Sequence, residues 1–315
     1  MTNAQGQIRR DGVEIHYEVH GSADGQPTIL LLPTWTIVHS RFWKLQTRYL
    51  ARHHRVVTYD GPGNGGSSRP TSPTAYGHDR QVGYALDVLD ATGTDRAVMV
   101  ALSKGALWAL QLAAEHGDRL LGSVLIGASV PLTDGHAERA AKGDAFALPP
   151  SVVPLIARDP MEHWAKYDPG YWAEHYEDFL WFFFGMCFPE GHSTKPIEDC
   201  VRWGLETTAE VLAADAAAPG PARETVEGWC AAIASPVVTI HGDRDLISPL
   251  SRAERIAELT GGRCVVIRGG GHIPLARDPV RVNLLIHELA QAWRAPHRMP
   301  LSEPAARPWA VRRRG

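Results

Sequence analysis

Ser103 lies where a hydroxyl can act as a nucleophile. It is the centre of Ala101-Leu102-Ser103-Lys104-Gly105, between the apolar run 97–102 and a helical pattern over 106–115. A strand that turns sharply into a helix holds one side chain in a strained conformation at the turn. Residues two positions away must then be small, and Ala101 and Gly105 are. The helix behind the turn points its dipole and free N–H groups at any negative charge that forms there. A serine hydroxyl needs a base to activate it, and the base needs a third group to orient it. Two later segments supply such groups. The run 237–241 leads into Gly242-Asp243-Arg244-Asp245-Leu246-Ile247-Ser248-Pro249, and 264–267 leads into Gly269-Gly270-Gly271-His272. On spacing alone, Asp243, Asp245 and Asp134 all qualify as acids, and a serine at this turn is also a good helix cap.

The elements that must position these groups follow an alternating pattern. Segments 7–10 and 13–19 flank Asp11-Gly12 and predict a hairpin. Apolar runs at 28–32, 56–59, 97–102 and 123–126 alternate with helical patterns at 39–51, 80–91 and 106–115, which predicts βαβ crossovers and a mostly parallel sheet. Residues 132–235 contain no strong strand pattern and are rich in aromatic residues, so they read as a helical insertion. Alternation resumes with 237–241 and 264–267 and closes on a helix at 280–293, apolar at Val282, Leu285, Ile286, Leu289 and Trp293. The expected organisation is a core at 1–131 and 236–295, a helical cap at 132–235, and an extended tail at 296–315.

These motifs, taken in order, resemble the α/β-hydrolase superfamily over about residues 13–293 outside the insertion. The resemblance implies a triad in the order serine, acid, histidine. It selects Ser103 as nucleophile, Asp245 as the acid of a G-x-x-D turn followed by Pro249, and His272 as the base. It also implies an oxyanion hole formed by the backbone N–H groups of Lys104 and Trp35. In the family the loop carrying the second donor usually begins His-Gly-x, and here it reads Pro33-Thr34-Trp35. This departure removes one N–H and one glycine's freedom. The loop Asp60-Gly61-Pro62-Gly63-Asn64-Gly65-Gly66-Ser67-Ser68 resembles the family's structural turn and lacks the G-x-x-x-x-G-K-[ST] of a phosphate-binding loop. Serine at 103 separates the chain from relatives with an aspartate nucleophile, such as epoxide hydrolases and haloalkane dehalogenases. It points to the serine branch of esterases, lactonases and thioesterases.

Thr34 and Trp108 are expected pocket walls, and the aromatic cap suggests an apolar small-molecule substrate. The Lys104 side chain, beside the nucleophile and toward the cap, is expected either to attract an anionic substrate group or to be solvated. The expected activity is hydrolysis of an ester, lactone or thioester through an acyl-enzyme on Ser103. A C–C bond hydrolase, lyase or natural-product cyclase on the same triad, and a ligand receptor without turnover, are the alternatives. No metal and no cofactor are expected.

The remaining composition is that of an ordinary globular enzyme. Hydrophobic residues make up 44% and charged residues 21%, with a net charge of -3, so no basic field exists for nucleic acid or an anionic membrane. The apolar runs are far shorter than the ~20 residues of a membrane helix, and residues 1–12 lack a signal peptide's apolar stretch. Cys187, Cys200, Cys230 and Cys264 show no CxxC spacing and read as reduced thiols of a cytoplasmic protein. The oligomeric state is left open.

Overall fold

The computed structural model describes residues 2–22, 24–135, 164–191 and 194–294. The expected tail at 296–315 and the first part of the expected cap, residues 136–163, lie outside the described residues.

The chain opens with β1 (Thr2–Arg10) and β2 (Val13–His20), paired antiparallel with Ile8 opposite Ile15. The turn at Asp11 and Gly12 has positive φ at both residues, 49° and 85°, which matches the right-handed twist of the strands it joins. β1 begins earlier than its sequence pattern, because β2 offers backbone partners as far as Thr2 opposite His20. Next come β3 (Thr28–Leu31), α1 (Lys44–Leu50), β4 (Val56–Tyr59), α2 (His78–Ala91), β5 (Ala97–Leu102), α3 (Gly105–Glu115) and β6 (Leu120–Ile126). Described helices of the insertion are α4 (Pro169–Cys187), α5 (Lys195–Gly204), α6 (Ala209–Ala216) and α7 (Arg223–Ala232). The chain returns to the sheet through β7 (Val237–Gly242), α8 (Leu250–Thr260) and β8 (Arg263–Ile267), and ends its described part with α9 (Pro279–Ala292).

The described strands form one sheet in the order β1-β2-β4-β3-β5-β6-β7-β8. The pairs β1–β2 and β2–β4 are antiparallel and all others are parallel. Side chains alternate between two buried layers, as the two-residue period of a strand requires. Ala97, Met99 and Ala101 face one layer, with α2, α3 and α7; Val98, Val100 and Leu102 face the other, with α1, α9 and the aromatic helix α4. α7 lies along α3 and α8, in the layer away from the aromatic helix.

β5 and α3 meet at a tight point beside the loop that follows β3. A Cβ added at Gly105 would stand 2.4 Å from the carbonyl oxygen of Pro33, so only glycine lets the loop after β3 approach the start of α3. Trp43 ties the same loop from outside, donating through Nε1 to the Leu32 carbonyl at 2.8 Å. Gly105→Ala forces two backbone segments apart. It is expected to cost about 1–3 kcal/mol, read as a lower urea midpoint with an unchanged m-value; a wild-type midpoint would show that the Pro33–Gly105 contact yields freely.

Candidate active site

The sharp turn that carries Ser103 is visible in its backbone. Ser103 has φ 53°, in the left-handed region that residues with a Cβ avoid. Such a conformation costs of the order of 1–3 kcal/mol and persists only where its surroundings enforce it. Here Ser103 N donates to Ile126 O at 2.9 Å, and Ser129 N donates to Ser103 O at 3.2 Å. Both contacts come from the end of β6 and the residues after it.

Ser103, His272 and Asp245 meet above the carboxyl ends of β5, β7 and β8. His272 Nε2 lies 2.8 Å from Ser103 Oγ, and His272 Nδ1 lies 2.8 Å from Asp245 Oδ2. Asp245 is buried, and the backbone N–H groups of Ile247 and Ser248 donate to its Oδ1 at 2.8 and 2.9 Å. Burial works to raise the Asp245 pKa, but the charge of His272 and the hydrogen bonds from both histidines outweigh it, holding the carboxyl well below the usual range. The other two acids stand apart: Asp243 is exposed and accepts from Gly269 N, and Asp134 accepts from Arg223.

Two contacts escaped the sequence reading. His241, the fifth residue of β7, is fully buried and directs Nε2 at Asp245 Oδ2, 3.1 Å away, and at the Ser248 carbonyl, 2.9 Å away. Burial opposes its protonation, but the Asp245 hydrogen bond and charge prevail and its pKa lies above the ordinary value. The signal was a histidine four residues before the acid, at the end of a buried strand. Ser129 Oγ lies 3.3 Å from Ser103 Oγ as a second, longer partner of the nucleophile.

Comparison with known proteins points to the same fold. The model of the alpha/beta hydrolase fold matches residues 27–180. An esterase from Rhodococcus sp. ECU1013 superposes with a TM-score of 0.69 at 24% identity, covering 93% of this chain and 100% of that one. The chain has the α/β-hydrolase fold. Among curated relatives, a haloalkane dehalogenase of Psychrobacter cryohalolentis is 33% identical over 109 residues, 34% of this chain and 35% of the relative. A 2-hydroxymuconate semialdehyde hydrolase of Pseudomonas sp. is 34% identical over 125 residues, 38% of this chain and 44% of the relative. The chain thus spans less than half the length of these relatives.

Ser103 and His272 open into a cavity of about 450 Å³. Its wall beside them is apolar, with Trp35, Leu102, Phe183, Phe184, Phe188 and Ile273, and its far rim carries Lys44, Lys195, Asp199 and Arg277. Asp199 accepts from both Lys44 and Lys195, so much of the rim charge is balanced internally. Thr34 lines the cavity, with its buried hydroxyl lacking a partner among the described residues. Trp35 lines it too, and its ring packs edge-on to Phe183 at 5.0 Å between centroids.

Two sequence expectations need correction. Trp108 is not among the described residues lining the cavity. α3 leaves the turn on the opposite side of the sheet, and Trp108 is buried in the layer that holds Val130, Val211 and Ala214. The Lys104 side chain, expected to attract substrate or to stand solvated, is ion-paired and half-buried: its Nζ lies 2.6 Å from Asp215 Oδ1, and Lys104 is likewise not among the described lining residues. At the expected oxyanion hole, the N–H groups of Trp35 and Lys104 donate no hydrogen bond among the described residues.

The depressed Asp245 pKa has a definite sign. The unfolded chain takes up a proton near ~3.9 while the folded one resists. The carboxylate therefore contributes stability above that pH and loses it as pH falls toward the folded value. Asp245→Asn is expected to flatten the loss of stability between about pH 5 and 3, measured by urea unfolding across pH. It is also expected to slow any chemistry at Ser103 by about 10³–10⁴; a variant that keeps the wild-type acid slope would remove Asp245 as its source.

Proposed function

We propose that this α/β hydrolase cleaves an ester, lactone or thioester of a largely apolar small molecule through an acyl-enzyme on Ser103. The observation that carries the reading is the continuous chain Ser103 Oγ, His272 Nε2, His272 Nδ1, Asp245 Oδ2, with both links at 2.8 Å. Ser103 Oγ attacks the substrate carbonyl as His272 Nε2 takes its proton. Asp245 holds the imidazole in the tautomer that leaves Nε2 free to accept, and stabilises the imidazolium that follows. The carbonyl oxygen gains charge facing the N–H groups of Trp35 and Lys104. As the tetrahedral intermediate collapses, His272 returns the proton to the leaving oxygen or sulfur and the acyl group stays on Ser103. Water then repeats the sequence and releases the acid.

A serine at position 103 favours acyl transfer over the reaction named in the dehalogenase relative, for which a carboxylate is the expected nucleophile. The esterase named among the solved structures supports the same reading at the level of fold. The apolar wall fits a hydrocarbon portion of the substrate, and the Thr34 hydroxyl offers one unmatched donor to a polar atom near the scissile bond.

A fluorophosphonate probe is expected to label the folded protein at Ser103, located by mass spectrometry, and to leave heat-denatured protein and Ser103→Ala unlabelled. Across p-nitrophenyl esters of graded chain length, Ser103→Ala is expected to lose at least about 10³-fold in kcat/KM. Labelling elsewhere, or none in a folded protein, would overturn the acyl-enzyme reading.

A further inference from the structure

We infer that Asp215, on the insertion helix α6, is a positioning residue for the oxyanion hole; the inference rests on the acyl-transfer reading above. The carboxylate spans the two segments that carry the hole's donors. Its Oδ1 lies 2.6 Å from Lys104 Nζ, on the residue that follows the nucleophile. Its Oδ2 accepts from Thr36 Oγ1 at 3.2 Å, one residue beyond Trp35. One side chain from the insertion therefore links the residue after the nucleophile to the loop that carries Trp35, and the N–H groups of Lys104 and Trp35 must converge on a single oxygen.

The placement of Asp215 is costly by every local criterion. It is only 2% exposed. It sits in the last turn of an eight-residue helix, where the backbone dipole disfavours a negative charge. A buried carboxylate also sheds water that its partners must replace. Helix formation alone does not explain an acid at this position, whereas its two contacts do. The same loop is held on its backbone side: Asn64 Nδ2 donates to the Thr36 carbonyl and to the Trp203 carbonyl of α5, both at 3.0 Å. Trp35 is flanked by the tight Pro33–Gly105 contact before it and by the Thr36 tether after it. Loosening the tether moves a hydrogen-bond donor, and misplacement by ~1 Å at such a donor costs up to ~10²-fold in rate.

A merely structural ion pair would dock the insertion and hold the cavity wall, so its loss would weaken ground-state binding. A positioning residue acts on the anionic transition state. The experiment compares wild type, Asp215→Asn and Thr36→Val with a p-nitrophenyl ester, an alkyl boronic acid that adds to the nucleophile as a tetrahedral anion, and the matching uncharged amide. Asp215→Asn is expected to lower kcat by ~10–100-fold and to raise the boronate Ki in proportion, while KM and the amide Ki stay within about twofold. Thr36→Val cuts one arm and keeps the Lys104–Asp215 pair. It is expected to show a smaller effect of the same kind, and it serves as the test should Asp215→Asn fail to fold. Unchanged kcat and boronate affinity, or equal weakening of boronate and amide, would overturn the inference while leaving the acyl-enzyme reading intact. A wild type that binds no boronate would sink both.

Discussion

The site depends on one backbone constraint, the left-handed turn at Ser103. The strain lifts the hydroxyl off the end of β5 and turns the chain at once into α3. It survives because the layer around it leaves no alternative. Ala101 is fully buried, Gly105 lies against the Pro33 carbonyl, and hydrogen bonds from the β6 end fix both peptide groups of Ser103. Two of these fixtures are backbone contacts between parallel neighbours, which only the doubly buried sheet supplies. The catalytic geometry and the packing of the sheet are therefore one problem, since displacing β3 or β6 displaces the nucleophile.

Electrostatics divides the work between two buried carboxylates. Asp245 gathers donors from two imidazoles and two backbone amides, so its charge is preserved and directed at His272. Asp215 meets an ammonium and a hydroxyl, and its charge is spent within the wall behind the cavity. Neither charge faces the substrate. The surface beside Ser103 stays apolar, and in such low-dielectric surroundings an N–H donor acts more strongly on a developing oxyanion than it does in water.

Most of this was legible in the sequence because the signals are local. The strand–helix alternation, the small residues flanking Ser103, and the loop positions of Asp245 and His272 are each set within a few residues. What was not legible is set by contacts across the fold. Trp108 lies five residues after the nucleophile, yet the sheet comes between it and the cavity, and the sense in which α3 leaves the turn is a three-dimensional property. Lys104 was read as a possible anion anchor because its partner, Asp215, is more than a hundred residues away in a segment with no motif. His241 is the exception: its partners Asp245 and Ser248 follow within seven residues, and only the way the loop after β7 folds back over the strand's end brings them to its ring.

The unusual loop Pro33-Thr34-Trp35 follows from the same reasoning. A glycine in such a loop gives freedom to approach the nucleophile, and its absence here must be made up by restraint. Pro33 needs no N–H partner, and its carbonyl packs on Gly105. The Trp35 ring is fixed among Tyr167, Trp172, Phe179 and Phe183. Thr36 is tied through its hydroxyl to Asp215 and through its carbonyl to Asn64. A loop held at Pro33, Trp35 and Thr36 can present the Trp35 N–H without a glycine's conformational range. The insertion supplies the aromatic ring packing and the Asp215 tether. Its aromatic helix and its buried acid thus act on the same loop, which lies against the start of α3 just behind Ser103.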